Sequence, residues 1–122
     1  MSYFSLYYHF TWHTNGSMSI LIGDKKNQVW EIIRFVIMKS PQMFYVAIGG
    51  TADHVHVIVY SMSTITFAKI AQLLKGASSE IIDKKMVFPF RFSWHHEYGC
   101  VTDDKRDLQR LKPYVSQQEE HH

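Results

Sequence analysis

Hydrophobic spacing changes period along this chain, and the order of those changes restricts the fold more than any single residue does. Phe4, Leu6, Tyr8, Phe10 and Trp12 alternate with Ser5, Tyr7, His9, Thr11 and His13. A period of two is a strand with one buried face. Asn15-Gly16 and Gly23-Asp24 then mark turns, and Asp24 can cap a helix. Val29, Ile32, Ile33, Val36 and Ile37 recur at helical spacing. That predicts a helix over roughly 24–39, which Ser40-Pro41 ends. Phe44, Val46 and Ile48 alternate in a second strand that closes at Gly49-Gly50, and His54 to Tyr60 form a third, rich in β-branched residues. The short Gly49–Asp53 connection makes these two a hairpin. Phe67, Ile70, Ala71, Leu74, Ile81 and Ile82 predict a second long helix over roughly 64–84. The aromatic stretch Phe90 to Val101 reads as a fourth strand. Asp103-Asp104 can cap a last helix carrying Leu108, Leu111 and Val115. The order β-α-β-β-α-β, then α, is an α+β, ferredoxin-like order: an antiparallel sheet with two helices on one face and a C-terminal helix added. RNA-recognition domains, small metabolic enzymes and regulators all use it, so the order leaves function open.

The 122 residues make a single domain, 1–122. Hydrophobic residues are 46% and aromatic ones 15%, which excludes a disordered chain. No apolar run reaches the ~20 residues that span a bilayer, and Met1 to Ser5 lacks the basic-then-apolar pattern of a secretory signal. A single cysteine, Cys100, excludes an internal disulfide and a cysteine-cage zinc site, and a reducing cytoplasm is the expected compartment. The net charge of +2 permits a nucleic-acid partner without requiring one. Eight histidines are the unusual count.

Two stretches carry chemistry. In Asp53-His54-Val55-His56-Val57-Ile58-Val59, the two histidines sit at i and i+2, on one face of a strand and ~6.5–7 Å apart along it. They can converge on one metal ion, or simply face water. In Tyr114-Val115-Ser116-Gln117-Gln118, Tyr114 and Gln118 are i and i+4, hence neighbours on one helix face beside the Leu108/Leu111/Val115 stripe. A phenol and an amide there can look into a site, or end an amphipathic helix in solvent.

Taken together, the chain resembles the single-tyrosine HUH transposases of small insertion sequences and the related transposases of repetitive palindromic elements. The resemblance runs nearly end to end. It rests on Ser5-Leu6-Tyr7-Tyr8-His9-Phe10, the His-Val-His core, Leu74-Lys75-Gly76-Ala77-Ser78-Ser79, Phe92-Ser93-Trp94 with Tyr98-Gly99, and the ending from Tyr114 to His122. It implies an enzyme that cuts single-stranded DNA beside a hairpin and rejoins it through a covalent 5′-phosphotyrosine. The nucleophile would be Tyr114, and the metal ligands His54, His56 and Gln118. Mg²⁺ is implied, with Mn²⁺ able to substitute, since a mixed nitrogen and oxygen donor set suits Mn²⁺, Co²⁺ or Zn²⁺ at least as well. A homodimer is implied too, acting in the cytoplasm of a prokaryotic cell, at the nucleoid.

The chain departs from the family pattern at Thr14-Asn15-Gly16, where basic residues are common, at Glu97, where a glycine often stands, and at Pro113, which starts or kinks the tyrosine helix. Lys75, Ser78 and Ser79 can contact phosphates, and His95 and His96 can reach the site or stack on bases. Tyr7, His9 and His13 can line a DNA surface or serve a dimer. Two rival classes remain. One is a non-catalytic single-stranded nucleic-acid binder stacking bases on its aromatic sheet. The other is a zinc hydrolase or small regulator; a hydrolase needs a third strong ligand and a carboxylate base, for which Asp53 is the one nearby candidate.

Overall fold

The computed structural model describes residues 5–62 and 65–103. Among these described residues, four strands and two helices follow one another: β1 (Ser5–His13), α1 (Gly23–Lys39), β2 (Met43–Gly50), β3 (His54–Met62), α2 (Phe67–Lys84) and β4 (Gly99–Asp103). A single 3-10 turn, Asn15–Ser17, follows β1 where Asn15-Gly16 predicts one. The strands form one sheet in the order β2-β3-β1-β4, and every described pairing is antiparallel. This is the ferredoxin-like arrangement that the order of periods predicts. The expected C-terminal helix lies outside the described residues. No helix among the described residues is long and apolar enough to cross a membrane.

One face of the sheet is the core. Tyr8, Phe10 and Trp12 from β1 and Val55, Val57 and Val59 from β3 pack there against Val29, Ile33, Val36 and Ile37 of α1 and Ile70, Leu74 and Ile82 of α2. The face alternation read along β1 and β3 is the alternation observed.

Three local expectations change. First, Val46 does not alternate with Phe44 and Ile48. The ladder shifts between Tyr45 and Ala47, where a bulge adds one residue to β2. The extra residue reverses the faces: Phe44, opposite Tyr60, is 55% exposed, while Ile48, opposite Val57, enters the core. Second, the fourth strand is Gly99–Asp103 and not Phe90–Val101. Phe88, Phe90 and Phe92 form a ring stack in an irregular segment, and Trp94 makes an isolated bridge to Thr14. Aromatic content there reflects side-chain packing, not a ladder. Third, Asp24 lies in the first turn of α1 but does not cap it, since Ile22 holds the cap position with no side-chain bond. At α2, which starts at Phe67 and not near 64, Thr66 is the cap and accepts from the Lys69 amide.

Candidate metal centre on the sheet face opposite the helices

The β1–β3 register sets Thr11 opposite His56 and His13 opposite His54. All four side chains therefore stand on the sheet face away from the helices. The ring centres of His54 and His56 are 5.1 Å apart, as are those of His13 and His54, and of His9 and His56. Four imidazoles thus form a continuous patch, built by two adjacent strands whose other face is fixed in the core.

His56 is the most constrained of them. Its Nδ1 is 3.0 Å from His9 Nε2 and 3.1 Å from Thr11 Oγ1. Its Nε2 is buried and has no hydrogen-bond partner among the described residues. Burial, and then the neighbouring His9, His54 and His13, pull its pKa down to about 4. The ring is therefore neutral at pH 7 and holds one proton. With that proton on Nδ1, where His9 or Thr11 can accept it, the lone pair sits on Nε2. Leaving a buried polar atom unpaired costs about 1–3 kcal/mol, and a metal ion is one partner that a bare imidazole nitrogen can take. The indole Nε1 of Trp12 is also buried without a partner, but it is a donor inside the core and can bind no cation.

His54 is held from its Nδ1 side. That atom is 2.8 Å from Asp53 Oδ1 and 2.7 Å from Thr51 Oγ1. Asp53 Oδ1 in turn accepts from Thr51 Oγ1 at 3.0 Å. The hydrogen bond from His54 holds the Asp53 carboxyl below its ordinary pKa against the opposing effect of burial, with Thr51 and the charges of His54 and His13 adding to it. A carboxylate behind an imidazole is the usual support of a metal-binding histidine, since it fixes ring orientation and tautomer. The hairpin makes this arrangement possible through Gly50, whose φ is +151°. A Cβ there would overlap the carbonyl oxygen of His54.

The other candidate residues scatter. The Lys75 ammonium donates to the Glu97 carbonyl at 3.3 Å and lies 5.7 Å from the Tyr98 ring centre, with partial burial lowering its pKa. Ser79 donates back to Gly76 within α2. Ser78 is fully buried and accepts from the Trp94 indole at 2.9 Å, so its hydroxyl is committed to the core. The ring centres of His95 and His96 are 4.4 Å apart with the planes tilted, and the His95 amide donates to the His13 carbonyl at 2.8 Å, which brings their loop to the histidine end of the sheet. Tyr114 and Gln118 lie outside the described residues. The supporting roles of His9, Thr11 and Thr51 could not be read from spacing. His9 and Thr11 reach His56 through the cross-strand register, and Thr51 reaches His54 through the hairpin turn.

His54 and His56, on one strand face, are thus each held through Nδ1. A profile of the transposase IS200-like family matches residues 2–118. The chain belongs to this family. Two solved structures of the same fold accompany that match. A candidate transposase from Deinococcus radiodurans R1 is 20% identical, with a TM-score of 0.73 over 95% of this chain and 92% of its own. A REP-associated tyrosine transposase bound to a REP hairpin is 14% identical, with a TM-score of 0.65 over 94% of this chain and 67% of its own. The comparison with curated proteins gives no match. As an IS200-like transposase, the chain belongs to an enzyme class.

Proposed function

We propose that this IS200-like transposase cuts and rejoins single-stranded DNA at hairpin-bearing element ends, through a covalent 5′-phosphotyrosine at Tyr114. The observation that supports the reading best is the neutral His56 with its buried Nε2, unpartnered among the described residues, next to a carboxylate-backed His54. A binder that only stacks bases has no use for such a nitrogen. His54, His56 and, from the tyrosine segment, Gln118 would hold a divalent ion, Mg²⁺ with Mn²⁺ as substitute. Such an ion supplies charge neutralisation and orientation at the scissile phosphate.

The protein's own groups do the rest. The Tyr114 oxygen attacks phosphorus in line and loses its proton. The bond from phosphorus to the 3′ oxygen breaks, and that oxygen leaves as a hydroxyl after taking up a proton. The 5′ phosphate stays on Tyr114. A second 3′ hydroxyl reverses the exchange, so joining needs no nucleotide cofactor. The REP-associated relative is bound to a hairpin, which supports a hairpin as the partner here. A homodimer with the tyrosine of one chain serving the histidines of the other belongs to the same reading, as does a cytoplasmic, nucleoid site of action.

Replacing His54 and His56 together by alanine tests the metal role. Cleavage of a hairpin-bearing single strand should disappear while hairpin affinity stays within about threefold, because phosphate contacts elsewhere dominate affinity. Equal loss of binding would overturn the assignment.

A further inference from the structure

His54 has a second side. Thr51 Oγ1, Asp53 Oδ1 and His54 Nδ1 form a closed triangle with edges of 2.7, 2.8 and 3.0 Å. With the carboxylate ionised, the hydroxyl and the imidazole bring two protons to three edges. One edge is therefore a split hydrogen bond or an approach of two lone pairs. A cation at the triangle needs no proton on any edge. Two donors about 2.1 Å from one tetrahedral ion stand about 3.4 Å apart, so the observed edges need open by only about 0.4–0.7 Å to hold one. His13, directly across the ladder from His54, completes the set: His13, Asp53 and His54 each offer a ligand atom, all within 4.8 Å of one another.

We propose that His13, Asp53 and His54 Nδ1 form a distinct site for a borderline transition ion such as Zn²⁺, with Thr51 at its edge. Two imidazoles and a carboxylate are a zinc-type donor set, less suited to Mg²⁺. The proposal rests on the function proposed above only for its consequence. A neutral imidazole has one lone pair. His54 can serve this ion through Nδ1 or the ion it shares with His56, but not both. Zn²⁺ held against Asp53 would therefore take His54 away from the His56 position and inhibit strand cleavage. His13 is the residue that makes the second position a three-ligand site.

Zn²⁺ competition with a chromophoric chelator, on the full chain, tests the site without reference to activity. The chain should bind Zn²⁺. His56→Ala should keep that affinity within about threefold, whereas His13→Ala and the isosteric Asp53→Asn should each weaken it by about tenfold or more. Circular dichroism melts establish that each variant is folded. Absence of Zn²⁺ binding, or binding lost in His56→Ala and kept in Asp53→Asn, would overturn the proposal. In Mn²⁺-dependent cleavage, added Zn²⁺ should inhibit the unmodified chain at lower concentration than His13→Ala. Equal inhibition of the two would overturn the competition at His54. A chain that binds Zn²⁺ as stated but never cleaves DNA would instead count against the proposed function and leave this site standing.

Discussion

His56 owes its chemistry to its neighbours. Its folded pKa of about 4 lies below the ordinary 6.5. Above pH 6.5 the ring is neutral in both the folded and the unfolded chain. Below it, the unfolded chain takes up a proton that the folded chain refuses until about pH 4. Stability should thus be fully present above 6.5 and fall as pH drops from there towards 4. Urea denaturation at a series of pH values should show that loss, and His56→Gln should flatten it; an unchanged slope would mean that another group titrates. His9 acts on the same ring through its 3.0 Å contact with Nδ1. His9→Ala should weaken Mn²⁺ binding by about 10–100-fold in a calorimetric titration. His9→Gln should recover part of it, since an amide oxygen can accept the same proton. Mn²⁺ affinity untouched by His9→Ala would place the support of His56 with Thr11 alone.

Among the elements, α2 and the segment before β4 are joined by a bond that spacing did not announce. Ser78 Oγ accepts from the Trp94 indole deep in the core. Ser78→Ala leaves that indole unpaired and should cost about 1–3 kcal/mol, read as a fall of several degrees in thermal midpoint, with hairpin affinity unchanged. A loss of hairpin affinity at full stability would return Ser78 to the DNA surface. In the same region side-chain spacing ceases to report the backbone. Regular periods gave β1, α1, β3 and α2 with boundaries close to those observed, because each buries one continuous face. The stretch from Phe88 to Trp94 is also rich in aromatics, but Phe88 stacks on Phe92 and Trp94 meets Phe92 and Trp12 edge to face, so composition there mimics a strand. The Val46 bulge likewise leaves no trace in an alternating pattern. In the site, His54 and His56 were legible because a strand fixes their common face. Thr51 was not, since its role depends on a turn that Gly50 alone permits.

At the scale of the whole molecule, the sheet separates two tasks. Helices and core occupy one face, and the histidines occupy the other, on the two central strands β1 and β3. Among the described residues, β2 and β4 are the edge strands. The composite dimer proposed above can be read by mixing chains. Co-expressing His54→Ala/His56→Ala with Tyr114→Phe should restore some cleavage, because one of the two sites in a mixed dimer would be intact; no recovery would favour sites built within one chain. Tyr114 is the proposed nucleophile, working beside the histidine pair. Tyr98, whose ring packs on Phe10 in the core, is its one serious competitor. The most direct measurement is the covalent protein–DNA adduct formed on a hairpin-bearing single strand with Mn²⁺, resolved by denaturing electrophoresis and mapped by mass spectrometry. The adduct should map to Tyr114, vanish in Tyr114→Phe and persist in Tyr98→Phe. An adduct that survives Tyr114→Phe and disappears in Tyr98→Phe would contradict the account.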